Sequence, residues 1–158
     1  MKKKCIIMAK LCLALFLCVF IVQEASGPSM SDASFDDVSQ EVVKTIKNYS
    51  LVKQNRQSVK RNLSINAGEY KNIEYYKSDD PMNVRELVIV EFKDPKQSKG
   101  FDTSLKSRIA SQIKAFDGYG DEQVGLMKKA IVSIDMNYGF YIVCENANHI
   151  YDVYKEQL

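Results

Sequence analysis

Glu86-Leu87-Val88-Ile89-Val90-Glu91-Phe92 is the stretch that decides how this chain folds. It is rich in β-branched residues and apolar at both alternations: Leu87 and Ile89 on one side, Val88, Val90 and Phe92 on the other. A strand with one wet face alternates polar and apolar, so this pattern predicts a central strand covered on both faces, or nearly so. Upstream, Ile73-Glu74-Tyr75-Tyr76 is a second run of β-formers. The turn-rich segment Ser78-Asp79-Asp80-Pro81-Met82-Asn83 joins the two into a hairpin.

Downstream, Asp94-Pro95 marks the start of a helix, since proline is tolerated in a first turn. Phe101, Leu105, Ile109, Ile113 and Phe116 then recur at helical steps, and Gly118 and Gly120 end the run. A short helix carrying Val124 and Met127 follows. Ala130 to Ile134 and Tyr138 to Cys144 flank Asp135-Met136-Asn137, a second hairpin in which Asn137 is the residue expected to accept positive φ. Ala147, Ile150, Tyr151, Tyr154 and Leu158 trace a closing helix. Before the first hairpin, Phe35, Val38, Val42, Ile46 and Tyr49 lie on one helical face, and Leu51 to Ile65 reads as a weaker helix. The order α-α-β-β-α-β-β-α predicts an α+β domain. Its expected architecture is a four-stranded antiparallel sheet in ββαββα order, with helices on one face and one or two N-terminal helices before it.

The N-terminus reads differently. Lys2, Lys3 and Lys4 precede an apolar run from Leu11 to Val22, and Gln23-Glu24-Ala25-Ser26-Gly27 closes it. A basic start, an apolar middle and a small-residue exit make residues 1–27 an export signal, either cleaved or kept as an N-terminal membrane anchor. Residues 28–34 read as a tether and 35–158 as one domain outside the cytoplasmic membrane. Of 22 Lys and Arg and 20 Asp and Glu, the leader holds four lysines and Glu24, leaving 18 basic and 19 acidic groups. The basic balance thus belongs to the leader, and nothing marks a nucleic-acid partner. Cys5, Cys12 and Cys18 also lie there, which leaves Cys144 alone, inside an apolar strand, as a small buried hydrophobe.

The stretch from Glu86 to Asp94, then Arg108-Ile109-Ala110-Ser111-Gln112, Asp121-Glu122-Gln123-Val124, Ala130-Ile131-Val132 and Asn137-Tyr138 follow one another in a familiar order. In that spacing, with Tyr75-Tyr76-Lys77-Ser78 and Met82-Asn83 upstream, the chain resembles the domain of unknown function 4358 family. The resemblance covers roughly 35–158 and is most specific over 84–145. It implies an exported protein of a Gram-positive anaerobe, often lipid-anchored in that family, with no assigned activity and no catalytic residues to carry over. This chain departs in one respect. Cys18 follows Leu15-Phe16-Leu17 instead of the small residues that precede a lipidated cysteine.

The residues supply few sets for catalysis. His149 is the single histidine, and a triad needs it to meet a nucleophile and an acid, yet no G-x-S-x-G elbow occurs. One histidine and one cysteine outside the leader fall short of a zinc site, and no glycine-rich phosphate cradle is present. Asp117-Gly118-Tyr119-Gly120-Asp121-Glu122 lacks the alternation of a calcium-binding loop. The expectation is therefore no catalytic, cofactor-binding or metal residues and no cofactor. Tyr75, Tyr76, Tyr138 and Tyr141, on strands, are the candidate recognition surface, because tyrosine joins a large contact area to a polar tip. The expected function is a non-catalytic module binding another envelope protein or a wall component, with the membrane touched only through the N-terminal segment. An inhibitor-like or chaperone-like regulator presenting loop 77–85 is the alternative, and a carboxylate-dependent hydrolase a more remote one.

Overall fold

A computed structural model of the chain describes residues 30–158. The leader, residues 1–27, lies outside the described residues. Helix α1 (Phe35–Thr45) is followed by strand β1 (Leu51–Lys53), helix α2 (Arg56–Leu63) and the hairpin β2 (Asn72–Ser78)–β3 (Glu86–Glu91). Helices α3 (Gln97–Phe116) and α4 (Asp121–Lys128) come next. The hairpin β4 (Ile131–Asp135)–β5 (Tyr138–Val143) and helix α5 (Ala147–Glu156) complete the domain. The class is α+β and every strand pairing is antiparallel.

The sheet has five strands, in the order β1-β2-β3-β5-β4, where four were expected. The extra strand comes from the segment read as one weak helix. Ser50 adopts the left-handed region at φ 51° and turns the chain, so Leu51 to Lys53 run beside β2. Asn55 then caps α2, its side chain accepting the Ser58 N–H at 2.9 Å.

The expected single helical layer is also corrected. Leu87 and Ile89 pack with Phe140 and Ile142 beneath α1 and α5. Val88, Val90 and Phe92 pack with Tyr141 and Val143 beneath α2, α3 and α4. Helices therefore cover both faces, as the double-sided apolarity of β3 requires, because one layer would leave half of β3 and β5 against water. Phe101 and Leu105 of α3 are fully buried over the sheet centre, each stabilising the fold by about 1.5–3 kcal/mol. The α3 helix needs a close approach there. A Cβ on Gly139 would sit 2.7 Å from Val90 Cγ2 and 2.8 Å from Phe101 Cε1.

Two turns differ from expectation in detail. At the β4–β5 tip the positive φ, 56°, falls on Met136 and not on Asn137. Asn137 is instead buried and ties the tip down: its Oδ1 accepts the Ser31 N–H at 2.7 Å and its carbonyl accepts the Phe92 N–H at 2.8 Å. The described part of the tether is thereby fastened. Ser31 Oγ also donates to the Leu158 carbonyl, and Tyr138 Oη donates to the Ala33 carbonyl at 2.8 Å.

Candidate functional site

The four tyrosines expected to form a recognition surface do not share one. Tyr75 and Tyr141 are buried on the α2–α4 face, whereas Tyr138 is buried on the opposite face, stacked on Phe35. Tyr76 is half-buried and donates to Glu74 Oε2 at 2.7 Å. The alternation that set them on strands faced covered surfaces on both sides, so three of the four became core.

Tyr75 and Tyr141 instead serve a buried carboxylate. Glu86 is 1% exposed and accepts from Tyr75 Oη at 2.7 Å and Tyr141 Oη at 2.6 Å. Arg108 of α3 adds a fork, Nε to Oε1 at 3.1 Å and Nη2 to Oε2 at 3.2 Å. Four donors on one carboxylate meet the cost of burying it. Burial opposes the Arg108 charge, yet Glu86 beside it more than offsets this and holds its pKa above the ordinary value. Burial first, and Glu86 second, push both tyrosine pKa values up, so neither phenol is readied to lose a proton. The assembly is a closed clamp between sheet and helix.

The open site lies at the sheet end where β1 and β3 begin and β2 and β5 finish. A cleft of about 700 Å³ opens there, bounded by the end of α1, the turn before β1, the β2–β3 loop and the β5–α5 junction. Three asparagines from three segments, Asn48, Asn83 and Asn146, line it together with Tyr49, Arg85 and Glu145. The β2–β3 loop is shaped by its own side chains: Asp80 Oδ1 accepts the Met82 N–H, and Asn83 Oδ1 accepts the Arg85 N–H, both at 2.9 Å. Gln123 of α4 fixes its return through the Val84 N–H.

Two of the three charges lining the cleft pair with each other, and the third, Asp80, has no cationic partner among the described residues. Arg85 Nε donates to Glu145 Oε2 at 3.0 Å, its Nη2 reaches Glu145 Oε1, and Glu122 stands 4.0 Å away. The hydrogen bond to Glu145 raises the Arg85 pKa, and the same bond lowers that of Glu145. Cys144, behind Tyr49, is 2% exposed, and burial pushes its thiol up, away from nucleophilic use. His149 is exposed on α5 and does not line the cleft. Among the described residues, no group of three or more His, Cys, Asp or Glu is placed to hold a metal ion.

Chemically, the cleft offers amides that donate and accept, hydroxyls from Thr45, Ser50 and Ser78, and little net charge. Sequence reading missed Asn48, Arg85, Glu145 and Asn146 as a group. No local motif joins residues about 100 positions apart, and the one available signal was polar residues crowding the ends of apolar strands.

The sequence model of one protein family matches residues 44–144, and its description is "Domain of unknown function (DUF4358)". The match spans the cleft except for its rim beyond Cys144. No curated protein and no solved structure matches the chain.

Proposed function

The chain belongs to the domain of unknown function (DUF4358) family, and within it we propose that this protein is a non-catalytic binding module of the cell envelope. Its ligand is an uncharged, hydroxyl-rich wall polymer seated in the cleft at the β2–β3 end of the sheet. The observation that carries this reading is the asparagine-lined cleft with its one arginine neutralised by Glu145. Amide groups match sugar hydroxyls, which both donate and accept, and the one surplus acid, Asp80, disfavours an anionic polymer. The export signal read in residues 1–27 supports a position outside the cytoplasmic membrane. A binding role, and not hydrolysis, is supported by the state of the acids: Glu145 is committed to Arg85, Glu86 is enclosed by four donors, and Asp80 Oδ1 holds the Met82 N–H of its own turn.

The test is co-sedimentation of the full-length chain with purified wall polymer. Saturable binding is expected, weakened about tenfold or more by Asn48→Ala with Asn146→Ala, a loss of at least about 1.4 kcal/mol. The polymer should be recovered intact. Soluble fragments released from it would establish an enzyme, and unchanged binding by the double variant would move the ligand elsewhere.

A further inference from the structure

Among the described residues, the sheet ends in two unpaired edges, β1 and β4. Their outward backbone groups follow from the register. The Phe92 N–H donates to the Asn137 carbonyl, and Val90 faces Gly139, so Gly139 points its polar groups toward β3. Tyr138 and Phe140 then point theirs toward β4, where they meet Asp135 and Ser133. Val132 and Ile134 are left with N–H and C=O aimed outward, and among the described residues no group bonds them.

This edge is long and apolar compared with the other. The β1 strand has three residues and ends in Lys53, whereas β4 has five and carries charge only at Asp135. Ile134 is 40% exposed, Val132 is half-buried beside it, and α3 packs along β4 with Ile109 and Ile113 also half-buried. Native edges of this kind are normally blunted by inward charges, bulges or covering elements.

We propose that β4 pairs antiparallel with β4 of a second copy, about a two-fold axis through Ser133, to give one sheet running through a dimer. This register sets Val132 opposite Ile134 of the second copy and Ile134 opposite its Val132, and each pair exchanges two backbone hydrogen bonds. Every outward group of the edge is then used. The half-exposed Val132 and Ile134 side chains meet on the α3 face, while Ser133 meets Ser133 on the α5 face. Asp135, the one charge on the strand, is already paired with Lys155 of its own chain at 2.5 Å, and the two-fold sets no like charges of the two strands directly opposite. The interface lies away from the polar cleft, so the proposal stands independently of the wall-binding reading.

Two measurements on the full-length chain in detergent micelles test it. In sedimentation equilibrium the wild type is expected to dimerise. Ile134→Pro should weaken dimerisation about tenfold or more. Its lost N–H points outward, so the internal ladder survives and near-UV circular dichroism should be unchanged. In a background of Cys5→Ser, Cys12→Ser, Cys18→Ser and Cys144→Ala, Ser133→Cys should oxidise to a covalent dimer. Asp135→Cys should not, because its two copies would stand about 13 Å apart. A monomeric wild type would overturn the proposal, whether a strand of another protein or the leader then covers the edge. So would a dimer untouched by Ile134→Pro, or Asp135→Cys cross-linking as readily as Ser133→Cys.

Discussion

Glu86 illustrates how much one residue depends on distant ones. In the linear sequence it borders an apolar strand and looks like a solvated end. In the fold it is buried, and Arg108, from a different element, supplies the opposing charge. Arg108→Ala should therefore destabilise the protein by about 3–5 kcal/mol in urea unfolding, since it strands a buried carboxylate. Glu86→Gln combined with Arg108→Met should cost less, because neither charge then remains and the amide can still hydrogen-bond the buried Tyr75 and Tyr141 hydroxyls. Arg85 and Glu145 make a milder, pH-dependent pair. Glu145 has its pKa lowered from 4.5 by Arg85, so this stabilisation is complete above the ordinary value. It is lost as pH falls through the depressed one. Unfolding curves of the wild type and Arg85→Gln should differ at neutral pH and converge in acid. Neither pairing was legible beforehand, because periodicity reports which residues are buried and says nothing of which charge meets which.

At the scale of elements, helical periodicity was a dependable guide and short strands were not. The faces of α1, α3 and α5 follow the apolar spacing in the sequence, and α3 runs through Gly100 without a break. Only three residues form β1, too few for an alternation to register, and its neighbour α2 is short enough to blur into it. The Asn55 cap is what divides them, so Asn55→Ala should lower stability by about 1 kcal/mol in thermal unfolding. Where α3 meets the sheet, Gly139→Ala forces a methyl against Val90, Phe92 and Phe101. A cost of about 1–3 kcal/mol is expected in denaturant titration, arising from overpacking and not from backbone strain. Both hairpins were readable from their turn residues, yet the second places its positive φ on Met136 because Asn137 is engaged with Ser31.

Across the whole molecule, the sequence announced α+β and a double-sided central strand, but not the side each helix would take. An amphipathic stripe states that a helix must be covered; chain connectivity decides where, and here α1 and α5, near opposite termini, meet on one face. That arrangement swallows three of the candidate tyrosines, and the polar cleft lies at the sheet end, where segments distant in sequence converge. The described chain begins at the opposite end of the sheet from the cleft, beside the β4–β5 tip. Hydrogen–deuterium exchange of the full-length chain, with and without purified wall polymer, tests the cleft most directly. Protection confined to 48–50, 79–85 and 145–147 is the predicted result. No protection there, or protection concentrated on another face, would contradict it.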